Sequence, residues 1–314
     1  MKLRAIWKDN TPYSKLLLTV GIVLLCAVAA SVIATILAST LHGISIMQLQ
    51  SLLTQLTNPT TINIFKIIQT FSSIGTFIIP ALLLAYLFSD HSTSYLHMGC
   101  KPTLAPTVLS ILLLIIALPL INYLGALNAK LQLPASLHSI EAWMKNAEQN
   151  AAQITAQFLK MNSLSDLVIM LFIVAIIPAL GEELLFRGIV QRLTTQLTKN
   201  IHAGIWIAAI IFSAMHMQFY GFLPRMLLGA LLGYLLIWSG NLWIPIIAHL
   251  VNNALAVIMA YAYGAQTLQI NPDEIGIAPG DHLILLCSST LSFIIILILY
   301  KNRINTQTYH TTHQ

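Results

Sequence analysis

Eight apolar stretches of about 15 to 27 residues recur along this chain, and they restrict its fold more than any other feature. They cover approximately 16–38, 62–88, 106–127, 167–190, 203–218, 224–239, 242–264 and 283–300. Hydrocarbon offers no water to open peptide groups, so a spanning chain must close its backbone hydrogen bonds inside helices or a barrel. Stretches this long suit helices, which rise about 1.5 Å per residue and cross the apolar core in about 20 residues. The expected fold is all-α: a polytopic bundle of about eight transmembrane helices with the active site within it. Only 8% of the 314 residues are charged, 57% are hydrophobic, and the mean hydropathy is +0.80. A soluble domain carries about 25% charged residues, so a soluble fold is excluded.

Lys2, Arg4, Lys8 and Lys15 precede the first apolar run, as they would in a signal peptide. The run from Leu16 to Ala38 exceeds the roughly 7–15 residues of a signal core, so it reads as an uncleaved first helix. With the N-terminus cytoplasmic, those four residues and Lys101, Arg192, Lys199, Lys301 and Arg303 lie inside, while loops 39–61, 219–223 and 265–282 have no Lys or Arg. Loop 128–166 has Lys130, Lys145 and Lys160, partly balanced by Glu141, Glu148 and Asp166. The bias predicts both termini in the cytoplasm, and the short loops suit a bacterial inner membrane. The net charge of +5 then reflects topology, and no nucleic-acid partner is expected. Apolar positions from Ile140 to Leu159 recur at helical spacing, which predicts an amphipathic helix on the outer surface or a solvated lid. Cys26, Cys100 and Cys287 form no Cys-x-x-Cys pair and read as buried small hydrophobes.

The polar residues inside these stretches are few. Glu182 and Glu183 are the only acidic pair within a span, and an ionisable residue in a membrane segment marks a functional site by default. Residues four apart on a helix lie about 40° from each other, so Glu183 faces Arg187. Glu182 is about 140° away and stays free for chemistry. His216 and His249 also fall within spans, and Asn253 follows His249 by one turn. Gly229 and Gly233 have the four-residue spacing of close helix packing, and Phe212 reads as packing. Lys66 and Arg225 are explained as snorkelling or near-interface residues. On these spans Glu182, His249 and His216 do not share one depth. Each residue alone has a structural reading; two carboxylates, two imidazoles and a carboxamide on three helices together suggest a hydrolytic site.

The segments Glu182-Glu183-Leu-Leu-Phe-Arg187, Phe212-Ser-Ala-Met-His216 and His249-Leu-Val-Asn-Asn253 resemble the three motifs of the CPBP intramembrane proteases, the type II CAAX prenyl endopeptidase or abortive-infection family. The resemblance covers roughly 167–264, between an N-terminal region (1–166) and a C-terminal region (265–314) with the last span and tail. It implies an endopeptidase in which Glu182 and His216 activate water, His249 and Asn253 stabilise the oxyanion, and Glu183, Arg187 and Phe212 support them. The implied substrate is a membrane-associated or lipidated peptide cut at the cytoplasmic side, among membrane lipids. The family has been labelled metalloprotease, and zinc on Glu182, His216 and His249 stays open, although a metal-free glutamate mechanism fits the same residues and is preferred. A proton-coupled transporter and a non-catalytic scaffold are the competing readings; a transporter predicts broken helices and repeat symmetry.

Overall fold

The computed structural model describes residues 4–52, 58–130, 133–264, 275–278 and 280–312, and among these every regular element is helical. Lys2, and segments of the expected outer loops 39–61 and 265–282, lie outside the described residues. Seven helices are long and apolar enough to cross a membrane: α1 (Pro12–His42), α2 (Thr60–Phe88), α3 (Leu104–Ala129), α5 (Leu164–Thr198), α7 (Phe219–Ser239), α8 (Trp243–Gly264) and α9 (His282–Lys301). α4 (His138–Phe158) is amphipathic, and α6 (Ile201–Ala214) is apolar but short.

The expectation of eight spans is corrected at α6. Its 14 residues rise about 21 Å, less than the roughly 30 Å of hydrocarbon. His216, expected within a span, lies instead in the turn just past α6. Irregular backbone at membrane depth is tolerated where protein buries it or it lines a cavity. α4 meets that need: it packs on the short 3-10 turn Phe219–Gly221, with Trp143 and Phe219 ring centroids 5.2 Å apart. The predicted amphipathic helix therefore exists, but it is neither a free lid nor a helix lying only on lipid.

The long helices owe their shape to proline and lipid. Pro178 has no N–H for the Val174 carbonyl four residues back, and α5 widens into a π-helical segment at Leu171–Ile176 just before it. α2 repeats the device with Pro80 behind the π segment Ile74–Ile78. Large side chains such as Leu17, Leu24 and Leu25 of α1 are exposed, as a lipid-facing surface requires. The same physics corrects the cysteines. None is buried: Cys26 and Cys287 lie on spanning helices, where an apolar residue can face lipid as readily as core, and Cys100 lies in the exposed connection before α3. The central core joins Leu184, Phe186, Ile189 and Leu193 of α5 to Phe212, Leu242 and Ile246.

Candidate active site

Consecutive positions on α5 turn Glu182 and Glu183 to different sides, and the structure gives them different surroundings. Glu183 is fully buried; its Oε1 lies 2.9 Å from Arg187 Nη1 and 2.8 Å from His249 Nδ1. The predicted Glu183–Arg187 pair is present, and the link to His249 is new. An ionised carboxylate only accepts hydrogen bonds, which assigns the hydrogen to Nδ1. His249 Nε2 is then left 3.9 Å from Glu182 Oε2. That gap is too long for a direct hydrogen bond and close to the reach of one bridging water.

Arg187 is held from several directions. Its Nη2 donates to the Gly229 carbonyl at 2.9 Å, and its guanidinium carbon lies 4.8 Å from the Phe212 ring centroid. One turn along, Gln191 Nε2 donates to the Gly233 carbonyl at 3.2 Å. A Cβ at position 229 would stand 3.1 Å from Phe212 Cδ1, and one at 233 would stand 2.6 Å from Gln191 Oε1. The paired glycines thus let α7 approach closely enough for its carbonyls to serve as acceptors. Phe212 sits at the centre of this layer, edge-on to Phe186, His216 and His249 at 5.2, 5.1 and 6.1 Å.

His216 Nδ1 lies 2.9 Å from the Phe212 carbonyl, one of the acceptors left open where α6 ends. With Nδ1 donating there, Nε2 is the free nitrogen of an exposed ring. Asn253 Nδ2 donates to the Val174 carbonyl at 3.2 Å, the group that Pro178 deprives of its helical partner. Asn253 Oδ1 accepts from Asn252 Nδ2 at 3.2 Å. One N–H of the Asn253 amide remains uncommitted among the described residues.

Glu182, Phe212, His216, His249 and Asn253 all line one cavity of about 640 Å³. Its walls come from α2, α5, α7, α8 and the end of α6, and α4 closes it with Ala151, Ile154, Thr155 and Phe158, spaced three and four apart on one face. Arg225, read from sequence as a near-interface residue, lines this cavity too, as do Gln218, Asn252 and Gln69. No periodicity singles these out, because each comes from a different element or a turn. Among the described residues no three His, Cys, Asp or Glu side chains are grouped to hold a metal ion. A catalytic zinc needs about three protein ligands, so Glu182, His216 and His249 do not fit a zinc centre and the metalloprotease reading is dropped.

Residues 164–255 match the family model of the Rce1-like type II CAAX prenyl endopeptidases, a stretch that contains all three motifs. Two Bacillus subtilis (strain 168) proteins are similar over a portion of their length. "Uncharacterized protein YpbD" is 35% identical over 80 residues, covering 24% of this chain and 38% of that one. "Putative membrane peptidase YdiL" is 30% identical over 91 residues, covering 29% and 37%. The chain thus spans less than two-fifths of these relatives' lengths. No solved structure matches.

Proposed function

Residues 164–255 carry an Rce1-like type II CAAX prenyl endopeptidase domain, and from that premise we propose that this integral membrane protein is an intramembrane endopeptidase. The observation that carries the reading is the Glu182–His249 pair, facing across 3.9 Å in a cavity that also receives His216 and Asn253. Glu182, assisted by His216, takes a proton from water as the water oxygen attacks the peptide carbonyl carbon. His249 and the free N–H of Asn253 donate to the oxyanion that forms, and each such donor is worth about 2.7–4 kcal/mol. The C–N bond then breaks, and the proton held by Glu182 passes to the leaving amine. Glu183 orients the His249 ring by taking its Nδ1–H, so donation to the oxyanion comes from Nε2 and needs the doubly protonated ring, and Arg187 balances the buried Glu183 charge. The substrate is a membrane-associated or lipidated peptide; cleavage at a CAAX-type site belongs to the same proposal.

The cavity lies beneath α4 and is lined by the C-terminal end of α6, the N-terminal turns of α7 and the middle turns of α8 from His249 to Val257. Arg4, Lys8, Lys101, Arg192 and Lys199 lie at the opposite ends of these helices. If that charge-rich side is cytoplasmic, as the positive-inside rule implies, the substrate reaches the site from the other side. Both termini share one side only if the short α6 also carries the chain across, from Asn200 to the turn that packs on α4; on that reading the termini lie in the cytoplasm of a bacterial inner membrane and cleavage is proposed away from the cytoplasmic side.

The π-helical break of α5 beside Pro178 is also a feature of carriers, which keeps a proton-coupled transporter as second reading. Glu182→Gln in the purified protein separates them. Cleavage of a peptide pool should fall by more than about 10²-fold with the fold retained. Undiminished cleavage overturns the protease reading, and proton flux into vesicles without any cleavage supports the carrier.

A further inference from the structure

Arg225 is a cation whose charge the proposed reaction does not use. It is partly buried in the first turns of α7, and its guanidinium lines the cavity that contains Glu182, His216 and His249. Its polar partners are both on Gln218: Nη2 donates to Oε1 at 2.6 Å and Nη1 donates to the backbone carbonyl at 3.4 Å. A Cβ at Gly221 would come within 3.0 Å of Nη2, so the guanidinium also lies against that backbone, which limits where it can point. Among the described residues no carboxylate lies within ion-pair distance of it, and Glu148 and Glu182 act on its charge only from farther away. Arg187, the other arginine of this layer, differs: it is matched by Glu183 and capped by Gly229.

Charges withdrawn from water are normally paired, and a guanidinium has five N–H donors in a planar fork that matches a carboxylate. Among the described residues two of the five are committed, both to Gln218. The neutral Gln218 amide fixes the fork without neutralising it, which is how a side chain is preorganised for an anion still to come.

We propose that Arg225 receives a carboxylate of the substrate and so selects peptides carrying that group at a set distance from the bond cut at Glu182. The carboxylate can be the peptide's own C-terminus or an acidic side chain; both offer two coplanar oxygens. The proposal rests on the protease reading only for the identity of the ligand as a peptide. Recognition itself precedes any chemistry, so it can be measured without turnover.

The test uses equilibrium binding to the full-length protein in detergent. The probes are an N-acetylated apolar tetrapeptide as free acid, its C-terminal amide, and amides with Glu or Gln at the penultimate position. The wild type should bind one of the carboxylate probes at least tenfold more tightly than its neutral counterpart, and the preferred arm identifies the source. Arg225→Gln should reduce that preference to less than twofold, and Arg225→Lys, which keeps the charge without the fork, should restore part of it. Equal binding of charged and neutral probes by the wild type, or a preference that survives in Arg225→Gln, overturns the proposal. Should Arg225→Gln not fold, the wild-type comparison and the Lys variant still decide. Glu182→Gln should keep the probe preference while losing cleavage, so failure of the protease reading and failure of this one give different results.

Discussion

Replacing Glu183 by Gln should damage this protein more than its conservative shape suggests. The side chain is fully buried, Arg187 is only 2% exposed, and one carboxylate oxygen serves both Arg187 at 2.9 Å and His249 at 2.8 Å. Removing one member of a buried ion pair strands the other charge, a loss of about 3–5 kcal/mol. Two features hold the value toward the lower end, about 3 kcal/mol: Arg187 keeps its bond to the Gly229 carbonyl, and the Gln amide oxygen can still accept from His249 Nδ1. Reversible unfolding in mixed micelles with increasing SDS measures the change. Adding Arg187→Leu to Glu183→Gln removes the stranded cation, so the double variant should be more stable than the sum of the two single losses, with a coupling of about 0.5–3 kcal/mol. Cleavage by the folded fraction of Glu183→Gln should also fall by about 10²-fold, because His249 loses the carboxylate that holds its ring toward Glu182. A single-variant loss under about 1 kcal/mol, or additive losses in the double variant, would refute the view that this pair anchors the site.

Asn253→Ala should destabilise by about 1–3 kcal/mol through the orphaned Val174 carbonyl, and adding Pro178→Ala should recover much of that by restoring a helical N–H; equal stability of the single and double variants in the same titration would contradict the account. In a background with Cys26, Cys100 and Cys287 replaced by Ser, a cysteine at Ser136, beside α4, should react with a membrane-impermeant maleimide added outside spheroplasts. A cysteine at Asn200, between α5 and α6, should react only after lysis, and the opposite pattern would invert the proposed orientation.

Much of the architecture is legible in the sequence because lipid imposes a simple rule on long apolar runs. Seven of the eight expected spans are helices long enough to cross, and the failure at α6 has a clear cause. Hydropathy continues through Phe212 to Met217, whereas the helix ends at Ala214, where the chain turns to present His216. Local spacing also foretold the Glu183–Arg187 pair and the small-residue contact at Gly229 and Gly233, since both depend on neighbours along single helices.

What the chain determines alone is therefore set by periods within one helix: its spans, its charge asymmetry and the residues of its three motifs. Only the packing of helices distant in sequence decides the rest. It joins Glu183 to His249, answers the carbonyl freed by Pro178 with Asn253, brings α4 over the cavity and turns Arg225 into it. Those links depend on the rotation and depth of separate helices, which no spacing along the chain encodes.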